Sequence, residues 1–396
     1  MVSRRVPFAW VAAGVAALVA VAVVALAATS DGGSSTSRST ADATDWADVV
    51  AAADGQTVRL WMWGGETALN QHIDRDVAPA AAGLGITLER VPVEDTADAI
   101  ARIAAEVDAG DDAGAVDLVW VNGANFAQGK DAGLWLDGWT DRLPSAGFLD
   151  PDDPTLRADF GVPVDRQEVP WSRAAFVFAH DAARLGSPPD TFEELAAYVR
   201  GHPGRVTYPA PPDFTGSAFV RQAVQALGED EAFALLAEME PDLWQGGRNH
   251  PVDQAELDRL FAAGELDLTM SYNPNFVDTA VRAGRFPDSV RPYVFQGGTL
   301  QNVSFLAIPA NASHPEGAQV AANLMLSPEM QGAKLERVGI PSVLDPERLG
   351  DGGSRLEAAA QEGGPHRLDD FGPPLQELPV DEVPRLDRRW LDEVAR

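Results

Sequence analysis

Apolar and polar positions first alternate regularly at Thr57-Val58-Arg59-Leu60-Trp61-Met62-Trp63, a run rich in β-branched and aromatic residues that stops at Gly64-Gly65 and reads as a strand. A short helix is predicted before it, from Asp45 to Ala53, and a longer one after it, over about 68–82. Ile86–Val91 reads as the next strand, and 96–109 as a helix with Ile100, Ile103 and Val107 on one face. Val116-Asp117-Leu118-Val119-Trp120-Val121 is another short apolar strand, closed by Asn122-Gly123. Strands alternating with helices are the pattern of an α/β domain with a largely parallel sheet. Ligands of such sheets sit beyond the carboxyl ends of the strands. That rule places Gly64-Gly65-Glu66 and Asn122-Gly123-Ala124-Asn125 on the functional edge.

The second half continues in the same style. Trp171–His180 reads as one long strand, and Thr191-Phe192-Glu193-Glu194 is a capping box that opens a helix. Between Thr207 and Ser217, Pro209, Pro211 and Pro212 fix the backbone and remove three donors, so the stretch is a stiff loop. It carries the rings of Tyr208 and Phe214 and runs into Thr215-Gly216-Ser217, a hydroxyl-rich helix start. Leu266–Asn273 and Val303–Pro309 read as strands. Pro315–Leu326 reads as a helix, and Ser327-Pro328 starts another. Beyond Leu344 the chain is rich in Pro, Asp and Gly, with a last helix near Trp390.

Composition narrows the function. The chain has 396 residues, 45% of them apolar, which suffices for more than one core. With 60 acidic against 30 basic residues the formal charge is −30, the wrong sign for a nucleic-acid partner. No cysteine is present, so disulfides, thiolate metal sites and a Cys nucleophile are excluded. Arg4 and Arg5 precede an uncharged run to Ser30 that contains Ala25-Leu26-Ala27-Ala28, so 1–30 is expected to be a signal peptide or a membrane anchor. Residues 31–43 then form a Gly/Ser/Thr-rich tether, and the mature protein works outside the cytoplasm, anchored or released. Neither a phosphate-binding glycine loop nor a Gly-x-Ser-x-Gly elbow occurs, and the six histidines lack paired helical spacing for zinc. No cofactor or metal is expected.

Several of these segments, taken in order, resemble the extracellular solute-binding proteins of ABC importers, in the group that includes thiamine, polyamine and ferric-ion binders. They are Trp61-Met62-Trp63-Gly64-Gly65, Val116–Phe126, Val169-Pro170-Trp171 with Phe176-Val177-Phe178, Thr207–Ser217, Ala307–Ala312 and Leu326–Gln331. The resemblance implies an α/β, two-lobed periplasmic-binding-protein-like fold with a hinge and an interlobe ligand cleft. It also implies a small-molecule solute, an ABC permease in the membrane as partner, and a monomer. The expected division is 44–178 for lobe 1, 179–302 for lobe 2, 303–345 for a return to lobe 1, and 346–396 for a C-terminal segment.

Candidate ligand-binding residues follow from ring faces, amides and helix starts. In the first lobe they are Trp63, Gly65, Glu66, Asn122, Asn125 and Trp171; in the second they are Tyr208, Thr215, Ser217, Tyr272 and Asn273. Each has a plainer reading. Trp61 suits the core better than Trp63, Glu66 can serve as a first-turn acid, and Asn-Gly is common turn chemistry. Trp171 can cover the hinge, and Thr215 and Ser217 can be caps. Trp171 with Glu168 three residues before it would also suit a cation held between a ring and a carboxylate. Rings and acids together point to a cationic solute, thiamine-like or polyamine-like. The alternative is an exported hydrolase using a carboxylate pair drawn from Glu66, Asp117 or Glu168, although acids are too plentiful for any pair to stand out.

Overall fold

The computed structural model describes residues 45–364, 366, 368–375 and 377–395; the expected leader 1–30 and tether 31–43 lie outside them. Strand β1 (Thr57–Trp63) forms where expected, with Val58, Leu60 and Met62 fully buried and Arg59, Trp61 and Trp63 partly so. It pairs in parallel with β2 (Thr87–Val93) on one side and β3 (Leu118–Val121) on the other. The single helix expected after β1 is interrupted: Thr67–His72, a π-type turn at Ile73–Val77, then Ala78–Gly83. The break comes just ahead of Pro79, which has no N–H to give to a regular helical bond. The next helix, Thr96–Asp108, is capped by Asp95, whose side chain accepts from the Ala97 N–H, and it buries Ile100 and Ile103. Asp117, fully buried, accepts from the backbone N and the Nε of Arg59 at 2.9 Å each and from the backbone N of His314 at 3.0 Å. It thereby fastens β1, β3 and the 314 loop together.

A small hairpin, β4 (Ala158–Asp159) and β5 (Val162–Pro163), precedes the hinge region. The long strand expected over Trp171–His180 is in fact two strands in two sheets, β6 (Glu168–Ala175) and β7 (Val177–Asp181), divided at Phe176. In the second sheet β7 lies between β8 (Leu268–Ser271) and β9 (Val290–Tyr293), antiparallel to both. In the first sheet β10 (Thr299–Ala307) is antiparallel to both β3 and β6, giving the order β2-β1-β3-β10-β6. The two-residue strand β11 (Pro374–Leu375) pairs with the start of β10 at Thr299 and Leu300.

Each sheet has its own core. The first holds Val58, Ile100, Leu118, Trp139 and Trp171, together with Phe305, Met325, Val338 and Leu356. The second holds Phe176–Ala179, Tyr208, Phe219, Phe261 and Leu300, and also Phe371, Leu386 and Trp390. The chain therefore passes between lobes at Ala175–Val177, at Leu300–Val303 and once more between Leu356 and Phe371. The Pro-rich C-terminal stretch contains a helix that the sequence reading lacks, Asp351–Gly363, whose Leu356 reaches the first core. The final helix, Glu382–Glu393, belongs to the second core.

The loop Thr207–Ser217 leads into the helix Phe214–Leu227. Its cap is Asp213, whose carboxylate accepts from the N–H groups of Thr215 and Gly216 at 2.9 and 3.1 Å. The hydroxyls of Thr215 and Ser217, candidate ligand contacts whose plainer reading is capping, are thus inside the helix. Gly216 is required there because a Cβ would lie 1.9 Å from the Pro209 carbonyl oxygen, so the stiff loop rests directly on the helix.

Candidate functional site

Four of the eleven candidate residues gather at one end of the boundary between the lobes. The Trp63 ring lies flat over Gly65, where a Cβ would sit 2.0 Å from the ring carbon Cζ2. Gly65 and Glu66 line a small cavity of about 40 Å³ with Gln254, Asp258, Phe276 and Arg285 of the second lobe. Asn273 joins them: its Nδ2 donates to Glu66 Oε1 at 3.4 Å and to the Val338 carbonyl at 2.8 Å. Asn275 Nδ2 and Thr279 Oγ1 donate to the carbonyls of Gly339 and Val338 at 2.8 and 3.2 Å. The carbonyls at the end of the first-lobe helix Pro328–Val338, which have no partner within that helix, are thereby satisfied by second-lobe side chains. These contacts hold the lobes together.

Two carboxyl groups face this boundary from opposite lobes. Burial pushes Glu66 up to about 7, with Asp258 adding to the rise and the Asn273 hydrogen bond opposing it. Burial pushes Asp258 up to about 7 as well, against the Thr269 hydrogen bond and the charge of Arg285. Acids whose folded values are raised bind more protons folded than unfolded between about pH 4 and 7. Their contribution to stability is therefore full at the acid end of that range and falls as pH rises toward 7. Asp258→Asn should flatten that decline, so the wild-type and variant melting curves measured from pH 5 to 7.5 should converge at the acid end. Parallel pH profiles would show that the boundary carboxyls stay ionised.

The middle of the boundary carries the second group. Asn122 and Asn125 are half-buried on either side of Gly123, at the carboxyl end of β3. The Gly123 N–H donates to Asp159 Oδ2 at 2.7 Å, and the Phe160 ring packs against the glycine. Asp159 and Glu168 are both 1% exposed. Asp159 Oδ1 and both carboxyl oxygens of Glu168 have no hydrogen-bond partner. Burial raises both groups well above the usual carboxylate range; Glu377 adds to the shift of Asp159, and Asp159 to that of Glu168. Beside them, over the hinge strands, lies a cavity of about 290 Å³ whose wall includes Phe160, Arg173, Asn302, Leu368 and Glu377.

The remaining candidates are placed differently. Trp171 is 1% exposed in the first core, edge-on to Trp120 at 5.4 Å, and not at a cleft surface. The amine over its ring is the chain's own Lys334, which burial pushes well below the usual lysine range; its Nζ lies 5.0 Å from the ring centre and donates to Ser172 Oγ and Gln331 Oε1. Tyr208 is wholly buried; it packs on Phe219, and its hydroxyl accepts from Trp390 Nε1 at 3.0 Å, so it is a core residue of the second lobe. Thr215 is buried in its helix. Ser217 is buried too, but it donates to Asp387 Oδ1 at 2.7 Å and accepts from Arg221 Nη1 at 2.8 Å. The Tyr272 hydroxyl donates to Glu377, and Arg221 Nε donates to the same carboxylate at 2.9 Å. Tyr272 therefore reaches the larger cavity only through Glu377.

The residues that shape the middle of the site, Asp159, Phe160, Arg221, Asn302 and Glu377, were not among the candidates. For Arg221 a signal was present, a charge inside the helical run Phe219–Val224, which is apolar apart from it and Gln222. For Asp159-Phe160-Gly161 and Glu377 the local sequence offers only turn-like and Pro-rich surroundings.

Two α/β lobes joined by crossing strands, with polar groups gathered between them, define a two-lobed binding protein. The sequence pattern described as "Bacterial extracellular solute-binding protein" matches residues 77–348. Protein YnjB of Escherichia coli (strain K12) is 37% identical over 370 residues, covering 88% of this chain and 94% of that one. The chain belongs to the bacterial extracellular solute-binding family. Solved structures share the fold at low identity. A periplasmic thiamin binding protein aligns with a TM-score of 0.63 at 18% identity, covering 86% of this chain and 96% of that one. The Tp0655 (TpPotD) lipoprotein of Treponema pallidum gives 0.65 at 14%, with 86% and 99% covered. The periplasmic binding protein AfuA of Actinobacillus pleuropneumoniae gives 0.64 at 15%, with 86% and 98% covered. The family is one of solute-binding proteins, and it lends the carboxylate-pair hydrolase no support. Among the described residues no helix is long and apolar enough to cross a membrane.

Proposed function

We propose that the protein captures a small organic cation, thiamine-like or polyamine-like, in the interlobe cleft and delivers it to a membrane permease. The observation that carries this reading is the pair Asp159 and Glu168, both buried, with three carboxyl oxygens lacking any partner. Buried polar groups without partners are costly, and a charged donor entering between the lobes would satisfy them. Among the described residues no group of three or more acidic or histidine side chains is arranged to hold a metal ion. The pair therefore suits an organic ammonium or a heterocyclic cation. Phe160 beside Asp159 supplies a ring face for it, and hinge closure around the solute would bury the contact.

The test is a thermal-shift panel of thiamine, its phosphates, polyamines, sugars and ferric salts, repeated with Glu168→Gln. A cation should raise the melting temperature of the wild type by mass action and do so far less for the variant. Both carboxyls start with raised values, so cation binding should release protons and tighten as pH rises. A panel in which no cation shifts the melting temperature would eliminate the cation reading.

A further inference from the structure

We propose that Arg221 and the Tyr272 hydroxyl form a built oxyanion fork, and that the carboxylate of Glu377 fills it so that the hinge cavity refuses anionic solutes. Arg221 lies in the second turn of the helix Phe214–Leu227 with its side chain 2% exposed. Its Nε donates to Glu377 Oε2 at 2.9 Å and its Nη2 to Oε1 at 3.3 Å, a two-point grip. The Tyr272 hydroxyl donates to the same Oε1. The third guanidinium nitrogen is taken up by Ser217 at 2.8 Å, and the Phe214 ring lies 5.6 Å from the guanidinium carbon. A planar guanidinium held this rigidly matches a carboxylate or a phosphate.

The donors and the acceptor come from separate stretches of chain. Every donor in the fork belongs to the body of the second lobe, whereas Glu377 arrives with the C-terminal segment, just past the two-residue strand β11. Glu377 is also part of the wall of the 290 Å³ cavity. A solute bearing a carboxylate or phosphate would have to expel this carboxylate to reach Arg221. With the Glu377 side chain removed, the same wall would offer two guanidinium N–H groups and a phenol to an anion. Glu377 thus sets the sign of charge that the cavity presents. This inference rests on the cavity being where the solute is received, but its test uses anions only and is read separately.

The experiment compares wild type, Glu377→Ala and Glu377→Ala/Arg221→Met in acetate, formate, inorganic phosphate and chloride at equal ionic strength. Glu377→Ala should melt lower than wild type. Acetate or phosphate should then raise its midpoint by about 2 °C or more over chloride, while leaving wild type and the double variant unmoved. An equal response of single and double variants, or no response beyond chloride, overturns the proposal. Should Glu377→Ala fail to fold, Glu377→Gln keeps the side-chain length, and phosphate should displace its neutral amide with the same dependence on Arg221. Phosphate protection of the variant together with a wild type indifferent to every cation would sink the cation reading and leave this one standing. Cation binding without anion rescue would do the reverse.

Discussion

Trp390→Ala should destabilise the protein by about 3–5 kcal/mol, read as a lowered midpoint in urea unfolding. Trp390 lies near the end of the chain, where substitutions are commonly tolerated, yet its side chain is 1% exposed in the second core. It meets the rings of Tyr208 and His250 at 6.1 and 5.2 Å, and its Nε1 donates to the Tyr208 hydroxyl at 3.0 Å. Truncation removes the largest side chain of the last helix and also leaves that hydroxyl buried without its donor. Tyr208→Phe is the informative companion. It should cost about 1 kcal/mol through the lost hydrogen bond and leave solute affinity unchanged, as befits a ring that packs rather than binds. A Trp390→Ala protein with near wild-type stability would mean that the last helix is an ornament on the lobe.

Arg221→Met should be comparably severe, about 3–5 kcal/mol, because it strips the guanidinium from a buried carboxylate. The side chains of Arg221 and Glu377 are 2% and 3% exposed, so solvent cannot take over the lost interaction. Adding Glu377→Gln to Arg221→Met should recover part of the loss, since the double variant no longer buries an unpaired charge. A double-mutant cycle by chemical denaturation measures this coupling directly. Strict additivity of the two substitutions would show that the pair is not energetically linked. Asp387 would still have Ser217 as its donor in every variant, which keeps the comparison on Glu377.

What was legible in the sequence was local. The β1 alternation, the Thr96–Asp108 helix face and the Thr191 cap, which accepts from the Glu194 N–H at 3.1 Å, all depend on neighbours within a few residues. The α/β character followed from the order of such segments, and the two lobes came only with the resemblance to solute-binding proteins. The candidate site could be placed at the boundary between the lobes where it sits on strand ends, as at Gly65, Glu66, Asn122 and Asn125. It was misread where a partner lies far along the chain. Tyr208 looked like a ligand ring because its burial depends on Trp390, 182 residues later. Tyr272 and Ser217 looked free because Glu377 and Asp387 reach them from the C-terminal segment. Trp171 looked like a cleft ring because Lys334, on a helix 163 residues away, is what covers it. The long strand was misdivided for a related reason: Phe176 lies in an uninterrupted apolar run, and only its bond from N to the Leu300 carbonyl at 2.9 Å marks the change of sheet.

The return of the last helix to the second core sets a timetable for biogenesis. A chain synthesised from its amino end presents lobe 1 strands first, but that lobe lacks Phe305, Met325 and Val338 until those residues follow. Lobe 2 waits longer still, for Leu386 and Trp390. Neither core can be completed until most of the polypeptide is available. The interleaving of the lobes thus postpones cooperative folding until the last helix has been made, so a chain cut short before Leu386 would leave both a finished first core and an open second one.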